Sequence, residues 1–235
     1  MRHPRLAGLF SDLLDLVHPQ ACAGCGAPSC AVCPGCAARL AGSPFAHRPE
    51  PCPPGCPPVF AAASYEGIAR QVILGWKERG RRGAARSLGS ALAAAIAAGA
   101  RAHGAGVPLI VVPVPASRRA LRQRGEDVLM RVARNAAGEL RAAGCAALVR
   151  PALSLERTPR DQSGLDARAR RANLRGAMRA RSLAGAAPPG EIVLVDDVVT
   201  TGVTLAEAVR ALEAAGRAPL FAATIAATPR RRAPR

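Results

Sequence analysis

Residues 191–204 read Glu-Ile-Val-Leu-Val-Asp-Asp-Val-Val-Thr-Thr-Gly-Val-Thr. Ile192 to Val195 carry no polar side chain, which suits a central parallel strand covered on both faces. Asp196 and Asp197 follow where that strand is expected to end, the edge at which open α/β sheets bind ligands. Thr200, Thr201, Gly202 and Thr204 then make a short hydroxyl- and glycine-rich loop. Their hydroxyls and backbone N–H groups can ring a phosphate, with Gly202 letting the backbone come close. Thr204-Leu-Ala-Glu207 has capping-box spacing, so a helix is expected to open there with its positive end toward the anion. Strand, two acids, loop and helix in this order can hold a sugar phosphate. The segment is not a P-loop, because the Gly-Lys-Ser/Thr of that motif is missing.

Patterns on either side of this stretch give the fold class. Strands are expected at 59–64, 109–114, 147–153 and 219–228, and helices at 66–77, 84–101 and 125–140. Such alternation predicts an α/β fold, a parallel sheet flanked by helices. Three parts are expected along the chain. Residues 1–40 hold an N-terminal amphipathic helix, with Leu6, Leu9, Phe10, Leu13, Leu14 and Val17 at helical spacing, and a cysteine-rich module. Residues 41–58 are rich in proline and read as an extended linker. The main domain covers 59–235.

Cys22-Ala-Gly-Cys25 and Cys33-Pro-Gly-Cys36 are two knuckles able to present four thiolates tetrahedrally to a structural Zn²⁺. Cys30, Cys52 and Cys56 compete for the same role. Cys145, far downstream, reads as a small core residue. A thioredoxin-like redox role is disfavoured, since the motif does not open a helix in a βαβ unit. No secretory signal and no run of about twenty apolar residues is visible, so a cytoplasmic protein without a membrane span is expected. There, eight cysteines are better read as metal ligands or free thiols than as disulfides.

The formal charge is +17, almost all of it arginine, with Lys77 the only lysine. The pairing of arginine with abundant alanine looks like GC-rich codon usage, one explanation for part of this excess. Binding of nucleic acid or pyrophosphate is the functional alternative. Aromatic residues are only 3%, which leaves few platforms for stacking single-stranded bases.

Two further segments are basic and suited to anions. Val112-Pro-Val-Pro-Ala-Ser-Arg-Arg119 ends an apolar run in a turn with two guanidiniums. Residues 157–178 form a basic, polar stretch of the kind that makes a mobile lid.

Val195 to Thr204 resembles the phosphoribosyl pyrophosphate (PRPP) loop of type I phosphoribosyltransferases. With the cysteine knuckles, Pro113-Val-Pro115, Arg124-Gly125, and Arg157, Gln162, Arg171 and Asn173, the chain resembles the ComF family of competence and amidophosphoribosyltransferase-like proteins along nearly its whole length. Lys77 also falls where that family places a lysine after a short helix.

The resemblance implies a type I phosphoribosyltransferase-like domain in which Asp196 and Asp197 hold the ribose hydroxyls. Thr200, Thr201, Gly202, Val203 and Thr204 would cradle the 5′-phosphate. Ala116, Ser117, Arg118 and Arg119 would bind pyrophosphate, and Arg157, Gln162, Arg171 and Asn173 would belong to the flexible loop. Mg²⁺ would accompany the ligand. Thr200 stands where some purine-salvage members carry an acidic general base, which argues against that mode of activation here. The chain departs from the family at Glu126-Asp127-Val128, where Phe-Asn-Gln is common.

Two functions follow. The first is transfer of the phosphoribosyl group to an unknown acceptor. The second is a non-catalytic competence protein that binds incoming single-stranded DNA, with PRPP as regulator. The implied partners are PRPP or a related ribose phosphate, single-stranded DNA, competence-machinery proteins and further copies of the chain.

Overall fold

The computed structural model describes residues 21–78, 81–106, 108–157, 174–181 and 190–229. The helix expected at 6–17 lies outside them. Described elements begin with α1 (Pro34–Ala41), β1 (Phe45–His47), β2 (Val59–Ser64), α2 (Gly67–Glu78) and α3 (Ala85–His103). They continue with β3 (Leu109–Pro113), α4 (Arg118–Arg124), α5 (Val128–Ala142), β4 (Ala147–Val149) and β5 (Leu153–Leu155). The last are β6 (Met178–Ala180), β7 (Glu191–Val199), α6 (Val203–Glu213) and β8 (Phe221–Ala227).

Six strands form one sheet in the order β1-β2-β8-β7-β3-β4. All neighbours are parallel except β1, which pairs antiparallel with β2. The expected α/β class is therefore found, as a mostly parallel sheet flanked by helices. β1 lies inside the proline-rich stretch, which thus adds an edge strand to the sheet.

The strand period of two sorts the core into two layers. Val193 and Val195 of β7 join Val111 and Phe221 on the face covered by α2, α3 and α5. Ile192 and Leu194 join Ile110, Val112 and Ala222 on the face covered by α6 and the β5–β6 ribbon. An uninterrupted apolar run is what a strand buried on both faces needs. Among the described residues no helix is long and apolar enough to cross a membrane.

Two local expectations are corrected. The strand expected at 147–153 breaks in two. Arg150 N–H still donates to Val111 O (2.9 Å), but Pro151 has no N–H to continue the ladder. β5 leaves the main sheet and pairs antiparallel with β6. The helix expected from 125 starts at Val128, because Asp127 caps it, its carboxylate accepting from Met130 N–H (3.1 Å). Gly125, at φ +73°, instead closes α4 in a left-handed cap.

Glycine lets α3 sit close to its neighbours. A methyl at Gly99 would overlap the fully buried Phe221 ring, and one at Gly89 would stand 2.5 Å from Asn135 Cβ. Gly138 of α5 has no such neighbour, only Arg141 Nη2 at 4.0 Å. Urea denaturation should show Gly99→Ala less stable by about 1–3 kcal/mol through overpacking. Gly138→Ala should be more stable by about 0.5–1 kcal/mol through helix propensity. A neutral Gly99→Ala would contradict this packing.

Candidate functional site

β7 and β3 run side by side until Pro113 meets Val195. Val114 N–H gives one more bond to Val195 O (2.9 Å), and the chain then turns away into α4. β7 does not stop there. Its pairing with β8 continues through Asp196 and Val198 to Val199. The two acids thus lie within the strand and beyond the end of its β3 neighbour. This differs from the sequence expectation that the strand ends before them. A crevice opens where β3 leaves, the kind of place where parallel sheets hold ligands.

That crevice is a cavity of about 280 Å³ lined by Asp196, Asp197, Thr200, Thr201, Gly202 and Thr204, among others. The size is near the small end of small-molecule sites, about 300–1,000 Å³. The two acids are the only titratable groups among the described residues lining it.

Asp197 meets α2, where Lys77 Nζ stands 2.5 Å from its Oδ2. Asp196 Oδ1 accepts from Asp197 N–H at 2.8 Å. Burial, and then the neighbouring Asp197 carboxylate, push the Asp196 carboxyl up to about 7, against the pull of Lys77 and that N–H. Among the described residues, the ion pair with Lys77 is the positive charge these acids meet.

The loop after β7 takes its shape from Gly202. At φ +67° it is the N-cap of α6, with no side-chain cap bond. A Cβ there would stand 2.8 Å from Cys56 Sγ and 3.0 Å from Pro49 Cγ. Gly202 is therefore required by the proline-rich stretch packed behind the loop as well as by its own backbone.

The expected capping box does not form, because the helix has already begun before Thr204. Glu207 turns instead to Met178 N–H (3.0 Å) and to the Arg210 guanidinium (2.8 and 2.9 Å). Burial opposes the Glu207 charge, but these donors outweigh it and hold its carboxyl below the usual range. Glu207 and Arg210 tie α6 to β6, a role with no local sequence signal.

Of the turn expected to bind pyrophosphate, Ser117 is the N-cap of α4, its Oγ accepting from Ala120 N–H (3.1 Å). Ala116 precedes it. The side chains of Arg118 and Arg119 lie outside the described structure. So do Gln162, Arg171 and Asn173 of the basic stretch. Arg157 is described, its Nη2 donating to Arg175 O (2.7 Å). Glu126 pairs with Arg82 (3.1 Å) and Arg131 (2.5 Å). These three residues line a second cavity, about 240 Å³, that Lys77 also borders.

The cysteines converge at the other end of α2. The sulfurs of Cys22, Cys25, Cys33 and Cys36 all lie within 4.8 Å of one another. A tetrahedral Zn²⁺ with Zn–S of about 2.3 Å puts its sulfurs about 3.8 Å apart, so the set fits a structural metal such as zinc. Cys30, Cys52 and Cys56 stay outside it.

Burial opposes a Cys22 thiolate, yet N–H groups of Cys33, Cys25 and Gly24 hold this thiol down at about 6. Burial and the surrounding thiols push Cys36 the other way. Four sulfurs this close cannot all be anionic without a cation. Gly24 has a packing reason: a Cβ would stand 2.8 Å from Cys36 Sγ. The second knuckle opens α1, with Cys33 as its N-cap.

No family model matches the chain, and no curated protein matches it closely enough to count as a relative.

The raised Asp196 carboxyl makes stability depend on pH. Between its ordinary value of 3.8 and about 7, the folded chain keeps a proton that the unfolded chain has lost. Stability from this group therefore falls as pH rises through that window. Denaturation across a pH series should show a shallower fall for Asp196→Asn than for the unaltered chain. An identical slope would contradict the assignment.

Proposed function

We propose that the chain is a ComF-like protein with a type I phosphoribosyltransferase-like domain that binds PRPP or a related ribose phosphate with Mg²⁺. The carrying observation is the shared cavity of Asp196, Asp197, Thr200, Thr201 and Gly202 beside the N-terminus of α6. Each part suits one part of the ligand. The paired carboxylates match the ribose hydroxyls, which donate hydrogen bonds. The threonine hydroxyls, loop N–H groups and the positive helix end match a phosphate.

The donors present also fit the cation. Two carboxylates and neighbouring hydroxyls are hard oxygen ligands of the kind Mg²⁺ takes. Asp196, held up to about 7 by burial and then by the Asp197 charge, would ionise more readily beside it. Held by Asp196, Asp197 and the neighbouring hydroxyls, Mg²⁺ would supply positive charge toward a pyrophosphate group. Asp196 and Asp197 hold the ribose so that its reacting carbon faces one direction of attack. Lys77 pairs with Asp197 and fixes it in place. Zinc, in the Cys22, Cys25, Cys33 and Cys36 cluster, is structural in this reading, and metal analysis should find about one per chain.

Titration calorimetry of PRPP with Mg²⁺ tests the reading. The unaltered chain should bind, and Asp196→Asn/Asp197→Asn should bind at least about tenfold more weakly, a loss of about 1.4 kcal/mol. Equal affinities, or no binding by the unaltered chain, would defeat it. Pyrophosphate release in the presence of nucleobases, ammonia or glutamine would separate a transferase from a PRPP-binding protein.

A further inference from the structure

The loop at Gly202 is backed by a pair of cysteines that the metal cluster does not use. Cys56 N–H donates to Pro53 O (3.1 Å), and Gly55 between them has φ +78°. Pro53 to Cys56 is thus a β-turn with glycine at its third position. The turn folds Cys56 back on Cys52, which directs its Sγ at Pro53 O (3.9 Å). Both residues are half-buried, within reach of a small reagent. On its far side the Cys56 sulfur packs against Gly202, so closely that a Cβ there would stand 2.8 Å from it. One dithiol therefore touches the loop that lines the cavity.

We propose that Cys52 and Cys56 form a reversible disulfide, and that forming it reshapes the Gly202 loop and weakens ligand binding there. The bond itself is independent of the proposed function; the effect on affinity rests on it. A disulfide needs its sulfurs at about 2.05 Å and a narrow range of torsion. The Cys52 and Cys56 side chains already interact, so the approach is short. Drawing the Cys56 sulfur into that bond moves an atom packed against Gly202.

The oxidant is a small-molecule disulfide. One protein thiolate attacks it and releases the first small thiol, leaving a mixed disulfide. The second protein thiol then loses its proton and displaces the second small thiol. Two protein thiols become one disulfide, and two electrons and two protons pass to the reagent. Burial, and then the Cys52 charge, push the Cys56 thiol up to about 12, which makes it a poor first nucleophile.

The full chain, purified with its metal, is equilibrated with oxidised and reduced glutathione at a series of ratios and then alkylated. The tryptic peptide spanning residues 40–70 contains Cys52 and Cys56 and no other cysteine. This peptide should lose both free thiols together, without retained glutathione. Amide exchange over residues 199–206 should change about threefold and return on reduction. Cys52→Ala should show neither change. Two persistent thiols, a stable mixed disulfide, or a disulfide with unchanged loop exchange would overturn the proposal.

PRPP affinity is measured on the reduced and oxidised forms. A fall of about tenfold on oxidation supports the coupling, and equal affinities overturn it. A reduced chain that does not bind PRPP defeats the proposed function and the effect on affinity, while the peptide and exchange results still decide whether the disulfide forms and reshapes the loop.

Discussion

Two carboxylates on adjacent residues of a partly covered strand repel each other and lose solvation, so they need positive charge nearby. Among its described residues, this chain supplies little of it. Its single lysine meets Asp197, and Asp196 is left with a raised carboxyl and a backbone N–H. The rest of the site follows from that arrangement. β3 stops short so that the acids are accessible, and α6 begins three residues after the strand with its positive end nearby. A cation and a phosphate would complete the charge pattern that the protein leaves open.

The N-terminal module is connected to this site through α2. A Cβ on Gly24 would stand 3.0 Å from Ile68 Cγ2, and the backbone of Ala21 accepts from Arg81 (2.6 Å). The cysteine cluster therefore rests on the helix whose last turn carries Lys77. The proline-rich stretch reaches the same site from the other direction, through Pro49 and Cys56 against Gly202. A metal bound at the cysteines would steady the helix that positions Lys77.

What the sequence made legible was decided by how local the cause was. The apolar runs at 59–64, 109–113 and 192–195 are strands because both faces of the sheet are covered. Four of the seven N-terminal cysteines converge as their knuckle spacing implied. The capping box at Thr204 failed because Gly202 starts the helix earlier, and Glu207 is claimed by Met178 N–H, 29 residues away. The break at Pro151 was written in the sequence as a missing donor, but the apolar residues on either side masked it. The contact between Cys56 and Gly202 joins segments far apart and has no local signal. Gln162, Arg171 and Asn173, which the family resemblance marks, lie outside the described residues.

The central claim is that the end of β7 and the loop after it form the ligand cradle. Backbone amide NMR during titration with PRPP and Mg²⁺ tests it most directly. The account predicts that signals of residues 196–204 and Lys77 move together and saturate, while those of Cys22 to Cys36 stay in place. Saturating shifts located elsewhere, with 196–204 unmoved, would contradict it.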